Sequence, residues 1–477
     1  MKKHSLLKIL GIILLLVVIV TYCVAGRTGE ITYLGLGDVA VNYIQSFYYF
    51  FDTALFVMVV GGFYGILNKT GAYKKLLDNI VKKVKKHSKI FVFGIIVLFA
   101  LISSLTGISI PLFIFVPFVV SIILLLGYDK LVAMVSTIGS ILVGFIGGIF
   151  VTFRDPNSYY SVYYTTFEEF VGADKFSNWI FQLVLLILGV TLLIFYVNRH
   201  IKNVEKKKVK YDLSDNSDVL ITEVKGNYKD IKTWPLIVIF ALIAILLILG
   251  LLPFASLFNL SIFSDFHTWL TGLKIGEFAV FNSIISANFT AFGEWANLGT
   301  YTMAMIMLAI FAIIIKFIYH IKFNDLIDDF VSGVKKMVPI AALVTLAYAV
   351  LVCSYNNGFT ETLINNITDA VGGFNIVVDA LITMVGSLLH TDLYYAAAGV
   401  FTPLITAITD ESVYQLLALT FQSFYGLTML IGPTSILLII GLRYLDIPYT
   451  TWIKFIWRFV LGLFLIIFVV LLIASLI

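Results

Sequence analysis

Ser103-Ser104-Leu105-Thr106-Gly107-Ile108-Ser109-Ile110-Pro111 sits inside a charge-free apolar run from Ile90 to Leu126, and it is the wrong chemistry for the middle of a bilayer. Five of these nine residues are Ser, Thr or Gly, and a proline closes the stretch. A tilted helix crosses the hydrocarbon layer in about 20 residues. The run is too long for one crossing, and it has no polar turn that would make two. A re-entrant hairpin fits: two half-length helices meeting at a polar tip at membrane depth. Irregular backbone is tolerated there only when it is buried in protein or lines a wet cavity. The tip is therefore a candidate site.

The rest of the chain agrees with a membrane setting. Of 477 residues, 60% are hydrophobic and 13% charged, and the mean hydropathy is +1.01, whereas soluble domains carry about 25% charged residues. The fold class expected is an all-α polytopic membrane protein. Cys23 and Cys353 both fall at apolar span ends and suit neither a disulfide framework nor a metal site. Leu6–Val24 follows Lys2, Lys3 and Lys8 and reads as a retained span rather than a cleaved signal.

Lysine placement sets the orientation. The basic N-terminus is placed in the cytoplasm. The stretch Asn68–Lys89 carries eight lysines and spaces Leu76, Leu77, Ile80, Val81 and Val84 as a helix does, so it reads as an interfacial helix on the cytoplasmic face. Those lysines need no function beyond topology and headgroup attraction. Residues 199–233 read as a cytoplasmic linker between a first half, 1–198, with its hairpin at 90–126, and a second half, 234–477, with a hairpin at 374–408 interrupted by His390-Thr391-Asp392. Nine full spans are expected, at 6–24, 47–67, 131–153, 176–197, 234–252, 300–319, 337–352, 413–440 and 452–477, with the C-terminus outside. The spans 131–153 and 413–440 are expected to break near mid-membrane, at Arg154-Asp155-Pro156-Asn157 and around Gly426 and Gly432-Pro433-Thr434-Ser435.

The two halves carry traces of one ancestor. Gly71–Ile80 and Gly358–Ile367 share four of ten residues at an offset of 287, and the same offset joins Asp38 to Asp325. Phe115-Val116-Pro117 matches Phe401-Thr402-Pro403, and Pro156-Asn157 matches Pro433-Thr434. The first copy of the short helix is loaded with lysine and the second has none, so the two lie on opposite faces. That is an inverted-topology repeat, the usual build of a secondary transporter.

In such a build two hairpin tips approach the midplane from opposite faces, each beside a broken helix of its own half. Half-helix N-termini favour a carboxylate. Freed carbonyls and hydroxyls suit a small hard cation such as Na⁺. The candidate substrate-binding residues are Thr106, Gly107, Ser109, Asn157, Thr391, Gly426, Thr428 and Thr434. Ser104, Asp155, His390 and Asp392 are the candidates for handling a coupling ion or proton. Arg154 can clamp a carboxylate or pair with Asp155 or Asp392, and Asp52 reads as interfacial. There is no His-Glu-x-x-His, Gly-x-Ser-x-Gly or P-loop, which argues against an intramembrane enzyme or primary pump.

Three stretches carry a family resemblance. Gly61-Gly-Phe-Tyr-Gly-Ile-Leu-Asn-Lys-Thr-Gly-Ala-Tyr73 with the Ser-Ser-Leu-Thr-Gly tip is one. The others are Leu419-Thr-Phe-Gln-Ser-Phe-Tyr-Gly-Leu-Thr428 with Gly432-Pro-Thr-Ser435, and Ile447-Pro-Tyr-Thr-Thr-Trp452. Together they resemble the YfcC-like branch of the C4-dicarboxylate anaerobic carrier (DcuC) family, within the ion transporter superfamily. The resemblance implies a scaffold domain and an elevator-like moving domain, a homodimer, and drive by Na⁺ or H⁺. The implied partners are a small-molecule solute and the lipid bilayer, with no nucleic acid. No cofactor beyond a bound Na⁺ is implied, and the location is the cell membrane. The chain departs from the family pattern at His390-Thr391-Asp392, where the tip is usually Ser/Gly-rich, and at Asp155-Pro156-Asn157, where Asn-Pro is usual. An acidic tip repels a dianion and suits a cationic or zwitterionic amino acid, so a C4-dicarboxylate and an amino acid or peptide both stand as substrates.

Overall fold

The computed structural model describes residues 5–28, 31–149, 178–206, 230–252, 254–255, 259–284, 290–295, 300–390 and 392–476. Helix α1 (Ser5–Thr28) is followed by α2 (Leu36–Lys69) and α3 (Ala72–Val84), and a 3-10 turn at Lys85–His87 feeds α4 (Ser88–Thr106). Beyond the tip come a second 3-10 turn, Ile110–Ile114, then α5 (Val116–Leu125) and α6 (Lys130–Ile146), with a π-helical stretch at Val135–Gly139. Next are α7 (Trp179–Glu205) and α8 (Trp234–Leu251), then the exposed α9 (Ile262–Thr271). A small ribbon of β1 (Lys274–Ile275) and β2 (Phe278–Ala279) precedes α10 (Thr300–Ile318). The second half continues with α11 (Phe323–Tyr355), α12 (Phe359–Val371), α13 (Ile376–Leu389) and α14 (Leu393–Ala407), which is π-helical at Ala397–Phe401. It ends with α15 (Tyr414–Met429), α16 (Ile436–Tyr444) and α17 (Tyr449–Ala474).

Among the described residues, eight helices are long and apolar enough to cross a membrane, counting Ala72–Thr106 as one. Of the nine expected spans, 413–440 is an interrupted helix, with α15 stopping at Met429 before α16 begins; within 131–153 α6 stops at Ile146, and the expected break at Arg154–Asn157 lies outside the described residues. The span expected at 337–352 proves to be the later part of one 33-residue helix, α11, which starts at Phe323 and has Pro339 inside it. Likewise α2 begins at Leu36 rather than at residue 47 and runs for 34 residues. At 1.5 Å per residue each of these helices is roughly 50 Å long, so each tilts or projects well beyond a ~30 Å hydrocarbon layer.

Helices α2 and α11 form the central pair. Along it, Asn42 Nδ2 lies 3.5 Å from Cys353 Sγ, Ser46 Oγ donates to Thr345 O at 3.3 Å, and Gly61 and Gly65 meet Met337 and Asp329. Numbers rise on one helix as they fall on the other, so the pair is antiparallel. Shifting the Gly65–Asp329 contact by 287 residues in opposite senses yields Val352–Asn42, one residue from the observed Asn42–Cys353 contact. The pair thus repeats its own contacts end for end. In lipid no hydrophobic force drives helices together, and close van der Waals approach replaces it. Glycine allows that approach here: a Cβ on Gly333 would fall 2.1 Å from Gly61 O, and one on Gly65 2.2 Å from Asp329 O.

The element order also repeats. Each long helix ends a few residues before a left-handed glycine, Gly71 (φ 67°) or Gly358 (φ 68°), and each glycine starts a 13-residue helix, α3 or α12. Each half then makes a helix–tip–helix turn, followed by α6 in the first half and by the interrupted α15–α16 in the second, and each ends in a long helix. Far from lying only on the lipid surface, α3 packs its apolar face against the protein: Tyr73 is buried beside Phe118 and Phe240, while the lysines that follow on α3 and its 3-10 turn face outward, with Lys83, Lys85 and Lys86 exposed.

In the first half the chain doubles back. Ser88, at the start of α4, meets Tyr128, past the end of α5, with Oγ and OH 2.8 Å apart. The arms are unequal rather than two half-length helices: α4 has 19 residues and α5 has 10. In the second half α13 and α14 lie side by side, and a Cβ on Gly386 would fall 2.6 Å from Val400. The bases of the two turns sit at opposite ends of α7. Lys89 pairs with Glu205 at 2.9 Å and Asp129 with His200 at 2.8 Å, whereas at the other end Asn178 Nδ2 donates to Gln415 O at 2.9 Å. Gln415 follows Tyr414, whose hydroxyl donates to Ile408 O at the foot of the second turn. The 27 residues of α7 separate these ends by about 40 Å.

Candidate functional site

The first interruption, after Ile146, is held from two sides. Ser103 Oγ donates to Ile141 O at 2.9 Å, and Ser104 Oγ donates to Gly147 O at 2.5 Å, so the last turn of α4 caps the frayed carbonyl end of α6. The next carbonyl, Gly148 O, accepts from Gln422 Nε2 on α15, and Gln182 Nε2 on α7 donates to Gln422 Oε1 at 2.9 Å. Both glutamines are 3% exposed. A helix C-terminus carries about half a negative charge on such carbonyls, and a carbonyl or hydroxyl oxygen engaged by one donor keeps a lone pair for a hard cation. Gly426 brings α15 onto this point, since a Cβ there would fall 2.8 Å from Ile146 N. Helix α15 therefore crosses α6 at its end.

The second break mirrors the first with other residues. Thr428 O accepts from Gly432 N at 2.6 Å, and its Oγ1 turns back to Phe424 O at 2.8 Å. Thr434 Oγ1 donates to Leu388 O at 2.7 Å, joining the break to the last turn of α13. The freed carbonyls of Leu430 and Ile431 accept from Trp452 Nε1, at 2.9 Å, and from Tyr449 OH, both on α17. Each break is thus joined through one hydroxyl to the tip-proximal turn of its own half.

At the first tip Gly107 takes the left-handed conformation (φ 68°) that ends α4. Thr106 Oγ1 donates back to Ile102 O at 2.5 Å and accepts from Ile108 N at 3.1 Å, and Ser109 O accepts from Leu112 N at 3.0 Å. Thr106 and Ser109 are half-buried and build the tip itself, whereas Ser104, Gly426, Thr428 and Thr434 gather at the breaks. The second tip leans on the central pair. Asp392 Oδ1 accepts from Tyr394 N at 2.9 Å as the N-cap of α14, and Tyr395 packs on Phe50, at the kink of α2, and on Tyr355 of α11. His390 is 1% exposed, next to Tyr355. Thr391, Asp155, Asn157 and Arg154 lie outside the described residues. Among the described residues no three His, Cys, Asp or Glu side chains gather as a metal site, so a Na⁺ here would rest on carbonyls and hydroxyls.

Gln182, Gln422, Tyr449 and Trp452 are site residues that sequence reasoning does not single out. A signal exists for three of them, which fall inside the stretches that carry the family resemblance. Their job is to donate to carbonyls that a broken helix leaves without partners, and a buried orphan carbonyl would cost about 1–3 kcal/mol.

A chain built almost wholly of helices, with eight candidate spans among the described residues, is a polytopic membrane protein, and its family makes it a transporter rather than an enzyme. It belongs to the C4-dicarboxylate anaerobic carrier (DcuC) family, whose model matches residues 29–476. It is similar to an uncharacterized protein of Haemophilus influenzae, 24% identical over 433 residues that cover 88% of this chain and 75% of the relative. Among solved structures it aligns with the YdaH transporter of Alcanivorax borkumensis at 14% identity and a TM-score of 0.41, over 98% of this chain and 97% of that one. That likeness is too slight to bear on fold or mechanism.

Proposed function

We propose that the chain is an ion-coupled secondary carrier that moves a small carboxylate-bearing solute, such as a C4-dicarboxylate, by alternating access. The observation that carries this is a pair of sites, the end of α6 and the break between α15 and α16, each joined by a hydroxyl, Ser104 or Thr434, to the tip-proximal turn of its own half. The two hairpins are re-entrant and enter from opposite membrane faces, supported by their bases lying at opposite ends of α7. The halves form an inverted repeat, supported by the end-for-end contacts of α2 with α11 and by the lysines of α3, which α12 lacks. The pair α2–α11 is the scaffold, and the hairpins with the interrupted helices are the body that moves elevator-like against it. The N-terminus is cytoplasmic in the cell membrane, and the assembly is a homodimer. Solute binds between the breaks, with first-turn N–H groups of α16 toward a carboxylate and the carbonyls at Gly147 and Gly148 toward a Na⁺, if Na⁺ is the coupling ion.

A second substrate, an amino acid, is favoured by one feature. The second tip carries Asp392, whose negative charge repels a dianion and suits the ammonium group of an amino acid. The test is uptake of labelled succinate, aspartate and arginine into proteoliposomes under an imposed Na⁺ or pH gradient. Gradient-dependent accumulation of succinate supports the first assignment, and of aspartate or arginine alone the second. Equal signals with and without a gradient would reject coupled transport.

A further inference from the structure

One face of α13 is polar along its whole length and buried. Asp379, Thr383, Ser387 and His390 follow one another at helical spacing, and each is 1% exposed or less. Many buried helical hydroxyls in this chain turn back to the carbonyl four residues earlier, as at Thr345, Ser354, Thr420, Ser423 and Thr428, although Ser136, Thr360 and Thr368 do not. Thr383 Oγ1 and Ser387 Oγ do not, and they have no hydrogen-bond partner in the protein. Nor does His390 Nε2. The ring's other nitrogen, Nδ1, lies 3.2 Å from Gly386 O. A carbonyl only accepts, so Nδ1 carries the proton and Nε2 presents a free lone pair. Gly399 keeps that nitrogen open, because a Cβ there would come within 2.7 Å of it. The matching arm of the first half, α4, buries Val92, Ile96, Phe99 and Ala100 until its last turn, so the stripe is not something the fold requires.

We propose that Asp379, Thr383, Ser387 and His390 form a proton route from the base of the second hairpin to its tip, making H⁺ the ion that drives the carrier. Steps of four and three residues rise about 6 and 4.5 Å along the helix, the span of one water molecule between two hydrogen-bonding side chains. Each hydroxyl can accept a proton on a lone pair and release its own, so a proton taken up at Asp379 emerges on His390 Nε2 with no net change in the groups between. Tyr355 on α11 meets the His390 ring edge-on, Asp392, Tyr394 and Tyr395 follow at the tip and the start of α14, Asp52 on α2 lies within electrostatic reach of Asp392, and Glu361 on α12 within reach of Tyr355. Alongside, α15 offers Tyr414 and Tyr425 and no charged residue.

The inference rests on the carrier function above, and two measurements on the full chain in liposomes separate them. After a pH drop outside the liposomes, infrared difference spectra should show the imidazolium of His390 forming, absent in His390→Gln, and forming at least tenfold more slowly when Thr383→Val and Ser387→Ala are combined; an equal rate in the double variant would overturn the route. In transport, Thr383→Val combined with Ser387→Ala should lose at least tenfold of pH-gradient-driven succinate accumulation while one-for-one succinate exchange falls less than twofold. Equal loss of both would assign the stripe to packing, and accumulation driven by Na⁺ and untouched by the double variant would overturn it as well. The same slowing of His390 protonation in a chain that moves no succinate would keep the route and remove the carboxylate assignment.

Discussion

Asp392 shows how one residue can serve the fold and invite a functional assignment at once. From sequence it is an ionisable group at membrane depth; in the structure its carboxylate caps α14 through Tyr394 N. Asparagine caps helices about as well as aspartate, and alanine loses about 1 kcal/mol. Asp392→Asn should therefore melt with the parent chain, whereas Asp392→Ala melts lower. Loss of coupled uptake in the Asn variant would mark a need for the charge itself, and unchanged uptake and pH dependence would confine Asp392 to capping. Gln422→Leu should destabilise the purified chain by about 1–3 kcal/mol in thermal melting, because Gly148 O is left buried without its donor. An unchanged melt would mean another group serves that carbonyl. Serine, threonine and glycine in an apolar run are conspicuous, so Ser104, Thr428 and Thr434 are legible in the sequence. Gln182 is not, because a glutamine in an ordinary apolar helix gives no local sign of the carbonyl or amide it reaches.

Elements are legible by length and composition, and least so where two of them fuse. The repeat of Gly71–Ile80 at Gly358–Ile367 corresponds to a matched pair of 13-residue helices starting at equivalent glycines. The stretches at 36–46 and 324–336 fall outside the expected spans because polar and charged residues there break the apolar pattern. In the structure the backbone simply continues, since those stretches extend the α2–α11 pair past the apolar layer. The glycines along that pair set its closeness. Gly65→Val should cost about 1–3 kcal/mol or more through overpacking against Asp329 O, read as a lower melting temperature and a reduced folded yield. By contrast Gly94→Val, at a position where an added Cβ would meet no atom within 4 Å, should melt close to the parent. Equal effects of the two would argue that α2 and α11 do not pack this closely.

At the scale of the molecule, charge is the informative signal. Among the described residues α3 and the turn after it carry a cluster of lysines beside the first hairpin's base, and α12, the partner of α3 in the repeat, carries none. Glycine and proline foretell the interrupted helices. The way each break is tied to its surroundings depends on contacts between residues up to 274 positions apart, which no local pattern encodes. The central claim is that the two hairpins enter the membrane from opposite faces. Lys86→Cys, at an exposed position on the turn after α3, and Asn366→Cys, on the polar face of α12, test it most directly in a background without Cys23 and Cys353. With a membrane-impermeant maleimide, Lys86→Cys should label only in inside-out vesicles and Asn366→Cys only in right-side-out cells. Labelling of both from the same side would contradict the account.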